Sequence, residues 1–160
     1  MNHGNDQIFD KLKFTMYYSL VDSEKEVVEL EKEFVYYRHY IDVENFKHQR
    51  DVSVSFNILG QAENHTIIPL LFEPLIGNAM KYTKQDGTGW VEIVFDVTHL
   101  PVLKFYCKNN YTHYSSNVIS SENGLKILEE RLELYYINNY TLKVTRGTDL
   151  YEVELSIKMI

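Results

Sequence analysis

The chain has 160 residues, of which 44% are hydrophobic and 24% are charged, a composition that excludes intrinsic disorder and fits one main folded domain. Its formal net charge of -7 argues against a broad nucleic-acid surface, because phosphate groups would be repelled on average. The longest apolar stretch, at residues 66–80, is too short to cross a membrane, and no signal peptide opens the chain. We therefore expect a cytoplasmic piece that contacts neither nucleic acid nor membrane.

The N-terminal third has helical spacing. Apolar residues recur there every four positions, at Ile8, Leu12, Met16 and Leu20. This spacing predicts a helix with one buried stripe. Asp22 and Ser23 interrupt the pattern and are expected to cap a second helix that reaches about Gln49, and the acidic run at residues 24–33 is expected to be its solvated face. Residues 1–50 thus read as a helical arm.

The following residues alternate between strands and helices. Residues 52–58 alternate apolar and polar side chains, as a strand with one buried face does. A helix is then expected from near Pro69 to Lys81, with Pro74 inside it loosening its first turns. Residues 90–97 and 102–107 read as a strand hairpin, in which Cys107, the only cysteine, is a buried thiol.

The C-terminal part begins with a polar stretch at residues 109–123, which is expected to be a mobile loop that ends at Gly124. A helix from Leu125 and a hairpin of two strands, at residues 140–145 and 150–157, complete the chain. Because most strands come as hairpins, the pattern predicts an α+β sandwich over residues 51–160, with a mixed, largely antiparallel sheet and helices on one face.

Asn78 is the first candidate for chemistry, because it interrupts the apolar face of the third helix, where a buried amide needs a partner. A structural hydrogen bond from helix to loop would explain it. Lys81 follows three residues later on the same helical face. Together the two side chains offer an oxygen for Mg²⁺ and a cation for phosphate, as a metal-bound nucleotide requires.

Three segments of the chain carry a family resemblance. In chain order they are residues 28–41, VELEKEFVYYRHYI, residues 68–82, IPLLFEPLIGNAMKY, and residues 124–135, GLKILEERLELY. They resemble, respectively, the linker, the N box, and the second glycine box with the helix that follows it in the LytS/YehU-type sensor histidine kinases of bacteria.

The resemblance implies a GHKL-type (Bergerat) ATP-binding domain, preceded by the end of a dimerisation helix and a linker helix. In such kinases the γ-phosphoryl group of ATP passes to a histidine, and a response regulator, here expected to be of the LytTR type, receives it. By motif match, Asn78 would bind Mg²⁺, Lys81 and Tyr82 would lie near the phosphates, and Gly124 and Leu125 would border the nucleotide. Asn109 would face the adenine.

The chain departs from the family pattern at four positions. Gly77 stands where a Glu usually precedes the N-box asparagine, and Asn109 stands where an Asp usually accepts from the adenine amino group. Glu122 replaces a glycine and Ile127 an asparagine in the second glycine box. A neutral acceptor binds less strongly than a charged one, so adenine recognition is expected to weaken by about tenfold. His3 lacks the context of the family's phospho-acceptor, which is expected to lie outside this chain.

Three functions therefore stay open. The first is the ATP-binding region of a dimeric, membrane-anchored sensor kinase. The second is a degenerate GHKL domain that binds a partner protein without catalysis, which the four departures favour. The third is an anti-sigma-type kinase acting on a protein serine, which shares the fold but fits the linker and the helix at residues 125–136 less well.

Overall fold

The computed structural model describes residues 3–112 and 118–159. Its elements, in chain order, are α1 (His3–Leu20), a 3₁₀ turn (Asp22–Glu24), β1 (Val28–Glu29), α2 (Leu30–Lys47), β2 (Ser53–Leu59), β3 (Thr66–Ile67), α3 (Glu73–Tyr82), β4 (Trp90–His99), β5 (Val102–Asn110), α4 (Val118–Tyr135), β6 (Tyr140–Arg146) and β7 (Leu150–Lys158). They form two compact units, one of Met1–Asp51 with Ala62–Leu70 and one of Val52–Gln61 with Leu71–Ile160.

In the first unit, α1 packs on α2 through aromatic rings. Tyr18 stacks on Tyr36 with ring centroids 4.6 Å apart, and Phe14 meets His39 edge-on at 5.1 Å. The helix at the N-terminus is as predicted, but the buried face is not. Met16 and Leu20 are 52% and 69% exposed. Tyr18 is completely buried instead, so the face of α1 that carries its stacked ring, and not the end of the aliphatic stripe, is the one that packs on α2.

The start of α2 also differs from expectation. Asp22 and Ser23 do not cap it, because β1 intervenes and pairs antiparallel with β3. The helix begins at Leu30, whose amide donates to the carbonyl of His65 at 2.9 Å. Asp22 is instead buried, with Lys25 at 2.7 Å and Lys32 at 2.8 Å, and hydrogen bonds from the two ammonium groups lower the pKa of its carboxyl.

The acidic run is solvated except at one position. Glu33 is completely buried, and its carboxylate accepts hydrogen bonds from the hydroxyls of Tyr18 and Tyr37 and from the amide of Leu70. A carboxylate can stay in such a place only when donors surround it, and those donors come from three separate parts of the chain. Helical spacing alone therefore could not reveal it.

The second unit is built on a five-stranded sheet with the order β2-β4-β5-β7-β6. β2 runs parallel to β4, and the other neighbours are antiparallel, which confirms the predicted α+β class and mixed sheet. Alternate residues of β4, β5 and β7 are buried, while those between them face outward. α3 packs on β4 and β5 and also meets α4. On the buried face of the sheet, the ring centroids of Phe72, Phe95 and Phe105 lie within 5.0 Å of one another.

Two helices of this unit begin at other residues than expected. α3 starts at Glu73, not near Pro69, so Pro74 lies in its first turn, where no amide is needed, and does not kink the helix. α4 starts at Val118, so Gly124 lies inside a helix and does not end a loop. Residues 113–117 of the predicted mobile loop lie outside the described residues.

Cys107 is confirmed as a buried thiol of β5, and burial raises its pKa to about 12. Such a thiol stays protonated at neutral pH and is unreactive.

Among residues 3–112 and 118–159, no helix has the length and apolar character needed to span a membrane.

The aromatic cluster provides a test of the core. Phe105→Ala removes a completely buried ring and should lower the free energy of unfolding by about 3–5 kcal/mol. The neighbouring residue Tyr106 points to the opposite, open face of the sheet, so Tyr106→Ala should cost well under about 1.5 kcal/mol. Urea unfolding followed by circular dichroism measures both. Equal losses in the two variants would contradict this assignment of the faces.

Candidate functional site

Asn78 lies on α3 opposite Gly124 of α4. A β-carbon added to Gly124 would lie 3.6 Å from Nδ2 of Asn78 and 3.7 Å from the β-carbon of Pro74. The structure thus brings together two residues from separate motifs, although they lie 46 positions apart in sequence (124 − 78). Nδ2 of Asn78 is buried and has no hydrogen-bond partner among the described residues, so this donor is left unsatisfied there.

Lys81 and Tyr82 follow at the end of α3. The ammonium group of Lys81 lies 5.2 Å from the centre of the Tyr82 ring, a distance at which a cation and an aromatic face attract each other. Lys81 is exposed and Tyr82 is half-buried. The cation therefore stays in solvent one helical turn beyond Asn78.

Asn109 occupies a covered position on β5, the strand against which α3 packs. It is 1% exposed, its Nδ2 donates to the carbonyl of Asn110 at 3.0 Å, and its Oδ1 is buried without a partner in the described part of the chain. Because the amide nitrogen is already engaged, the oxygen is the atom left to accept a hydrogen bond. The position therefore suits a ligand that carries a donor.

Asn110, which sequence reasoning did not single out, organises the loop between α3 and β4. Its Oδ1 accepts from the hydroxyl of Thr83 at 2.7 Å and from the amide of Trp90 at 3.0 Å, and its Nδ2 donates to the carbonyl of Thr88 at 2.8 Å. One amide thus holds both ends of the loop that follows Lys81. The only sequence signal was a second asparagine at the end of a strand.

Leu125 follows Gly124 on α4. It lines an open groove of about 520 Å³ between α4 and β6, together with Val144. The groove is also lined by charged residues of both signs: Glu122, Lys126, Glu129 and Arg146. Glu122 and Leu125 therefore line the same groove as two cations, Lys126 and Arg146. That Leu125 borders a nucleotide stays a prediction.

The residues around Asn78 include few metal ligands. Gly77 has no side chain to offer, and no group of three or more His, Cys, Asp or Glu residues that could hold a metal ion occurs within the described ranges. A divalent cation at α3 would depend on the amide of Asn78 and on the ligand's own oxygens. Mg²⁺ tolerates that arrangement, because it usually keeps waters and phosphate oxygens in its coordination shell.

Comparisons with known proteins identify the fold. No family model and no curated protein matches the sequence. Among solved structures, the chain is similar to the histidine kinase domain of a blue-light activated histidine kinase from Erythrobacter litoralis, with 16% identity over 96% of this chain and 74% of that chain and a TM-score of 0.58.

Two further structures have the same fold. Histidine kinase AdeS from Acinetobacter baumannii matches with a TM-score of 0.60 and 10% identity over 94% of this chain and 76% of that chain. The mycobacterial sensor histidine kinase MprB matches with a TM-score of 0.58 and 11% identity over 84% of this chain and 98% of that chain. The chain therefore has the GHKL fold of histidine kinase catalytic domains.

The contrast between the two neighbouring asparagines is testable. Asn110→Ala removes the acceptor of the Trp90 amide and should destabilise the protein by about 1–3 kcal/mol. Asn109→Ala breaks one hydrogen bond to a backbone carbonyl and should cost less. Urea unfolding measures both, and amide exchange of residues 83–90 should rise in the Asn110 variant alone. A larger loss in the Asn109 variant would contradict these roles.

Proposed function

We propose that this chain is the nucleotide-binding region of a two-component sensor histidine kinase, which transfers the γ-phosphoryl group of ATP to a histidine outside this chain. The observation that carries the proposal is the meeting of Asn78 and Gly124 on a fold shared with histidine kinase catalytic domains. Each residue comes from a motif that resembles the corresponding part of the LytS/YehU-type kinases. We extend the proposal to that subgroup on this resemblance.

The adenine end of the nucleotide fits the unpartnered oxygen of Asn109. A buried acceptor without a partner costs free energy, and an adenine amino group would supply the missing donor. The hydrogen bond from Nδ2 to Asn110 favours the orientation in which the oxygen faces the ligand. Asn109 therefore takes the role that an aspartate has in the family, without its charge.

The phosphate end fits less completely. Asn78 would hold Mg²⁺ through its amide oxygen, and the exposed ammonium of Lys81 would face phosphate oxygens. In phosphoryl transfer a protein acts mainly by positioning the phosphate and neutralising its charge. Gly77 contributes no carboxylate to this task, so we expect weak binding of ATP and Mg²⁺.

The partners follow from the same proposal. Met16 and Leu20 leave apolar side chains of α1 exposed, as expected for a helix that belongs to the dimerisation stalk of a homodimeric kinase. A LytTR-type response regulator would receive the phosphoryl group. The region would act in the cytoplasm as part of a membrane-anchored sensor.

One set of observations favours a second function, a GHKL-like domain that binds a signalling partner without catalysis. Gly124 lies inside α4, where a glycine gives less backbone freedom than in a loop, and Ile127, which replaces the usual asparagine, is 54% exposed. Glu122 brings a negative charge to the same helix. These features weaken a phosphate site and leave the fold intact.

Titration of ATP and ADP into the chain, with and without Mg²⁺, separates the two functions. The kinase proposal predicts binding with a dissociation constant of roughly 10 μM to 1 mM that depends on Mg²⁺ and disappears in Asn78→Ala. Calorimetry and the shift in melting temperature are the readouts. No binding at millimolar nucleotide would refute the kinase proposal and support the partner-binding function.

A restored site gives the converse test. Gly77→Glu together with Ile127→Asn reintroduces the usual family residues on α3 and α4 and should strengthen Mg²⁺-dependent ATP binding by about tenfold, since each adds a polar ligand or support. Tyr106→Ala, on the open face of the sheet, is the matched control and should leave affinity unchanged. Equal affinity in the restored and original chains would argue against this site.

A further inference from the structure

The buried carboxylate of Glu33 holds one particular backbone amide. Its Oε1 accepts from the amide of Leu70 at 2.9 Å and from the hydroxyl of Tyr18, and its Oε2 accepts from the hydroxyl of Tyr37. A backbone amide can only donate, so an acceptor is required at this point. Burial and the neighbouring Glu33 carboxylate raise the pKa of Tyr18, which keeps its hydroxyl proton available to donate.

Leu70 has a backbone conformation that leucine rarely adopts. Its φ angle is 58°, in the left-handed region, where the β-carbon of an L-residue crowds the following carbonyl at a cost of about 1–2 kcal/mol. Such strain persists only where surrounding interactions enforce it. The hydrogen bond from Leu70 to Glu33 is an interaction of this kind, since it ties the strained residue to a carboxylate that α2 holds in place.

Leu70 is also where the chain passes from one compact unit to the next. It is the last residue of the segment that belongs to the first unit, and Leu71 belongs to the second. α3 begins three residues later, at Glu73, and its first turn is closed by hydrogen bonds from the amides of Leu75 and Ile76 to the carbonyl of Phe72, at 3.1 and 3.0 Å. α3 carries Asn78.

We propose that Glu33 is a positioning residue that keeps Leu70 in its left-handed conformation and thereby fixes the backbone from which α3 starts. The inference concerns backbone order and does not need nucleotide, so it stands or falls separately from the proposed kinase function.

Two substitutions distinguish positioning from simple core filling. Glu33→Met keeps a similar shape and apolar contact but removes every acceptor, so the Leu70 amide loses its partner. Tyr37→Phe removes a hydroxyl from the same cluster but leaves the oxygen that accepts from Leu70 in place. If Glu33 only filled the core, the two variants would affect the same amides.

A third substitution tests the strain itself. Glycine adopts positive φ angles without the penalty that leucine pays. Leu70→Gly should therefore make the backbone less dependent on Glu33. In this background, the effect of Glu33→Met on the residues that follow should shrink.

The experiment is hydrogen–deuterium exchange of the whole chain, without nucleotide, read by mass spectrometry in peptides that cover residues 70–76. Glu33→Met should raise exchange there by about tenfold, since a hydrogen bond to a charged group contributes roughly 1.5–3 kcal/mol. Tyr37→Phe should change it less than about twofold, and in the Leu70→Gly background the effect of Glu33→Met should fall to about threefold or less.

Exchange at residues 70–76 that stays within about twofold in Glu33→Met, while α1 and α2 exchange faster, would overturn the proposal. So would an undiminished effect of Glu33→Met in the Leu70→Gly background. Glu33→Gln, which keeps the shape and one oxygen but loses the charge, is measured alongside in case the methionine variant does not fold. Glu33→Gln should raise exchange at residues 70–76 by about threefold. If the methionine variant does not fold, unchanged exchange at residues 70–76 in Glu33→Gln would count against the proposal.

Discussion

The sheet of the second unit has one apolar face, and the need to cover that face determines where everything else in this unit lies. Phe95 and Phe105 project from neighbouring strands, and Phe72, just before α3, packs on both. With α3 held against β4 and β5, the meeting of α3 and α4 places Gly124 beside Asn78. The geometry of the candidate site is thus a result of covering the core, and it would survive the loss of the site's chemistry.

This separation explains how a chain can keep the fold of histidine kinase catalytic domains while the residues proposed to bind its ligand differ from the family pattern. The buried apolar side chains of the aromatic cluster and of the strands contribute much of the free energy of folding. Gly77, Asn109 and Ile127 affect mainly what this region can bind. Binding residues of this kind can be exchanged at little cost to folding. Departures from the family's sequence motifs are therefore compatible with structural similarity to histidine kinases.

Much of the second unit could be predicted from the sequence, because strand alternation is a local signal and the Asn78 motif is contiguous. The start of α2 could not, since it depends on the pairing of β1 with β3, which lie far apart in sequence. The roles of Glu33 and Asn110 were hidden for the same reason. Their partners come from distant segments, and a pattern that reads neighbours cannot find a hydrogen bond across 37 residues, the separation of Glu33 from Leu70.

Neither compact unit is a continuous piece of chain. After β2 the chain leaves the second unit, residues 62–70 add β3 to the first unit, and the chain then returns to form α3. Residues 62–70 lie in the connection between the paired strands β2 and β4. Closing this connection costs conformational entropy, and the cost falls when part of the connection is already ordered. The parallel pairing of β2 with β4 should therefore cost less entropy when residues 62–70 are already ordered by the pairing of β1 with β3.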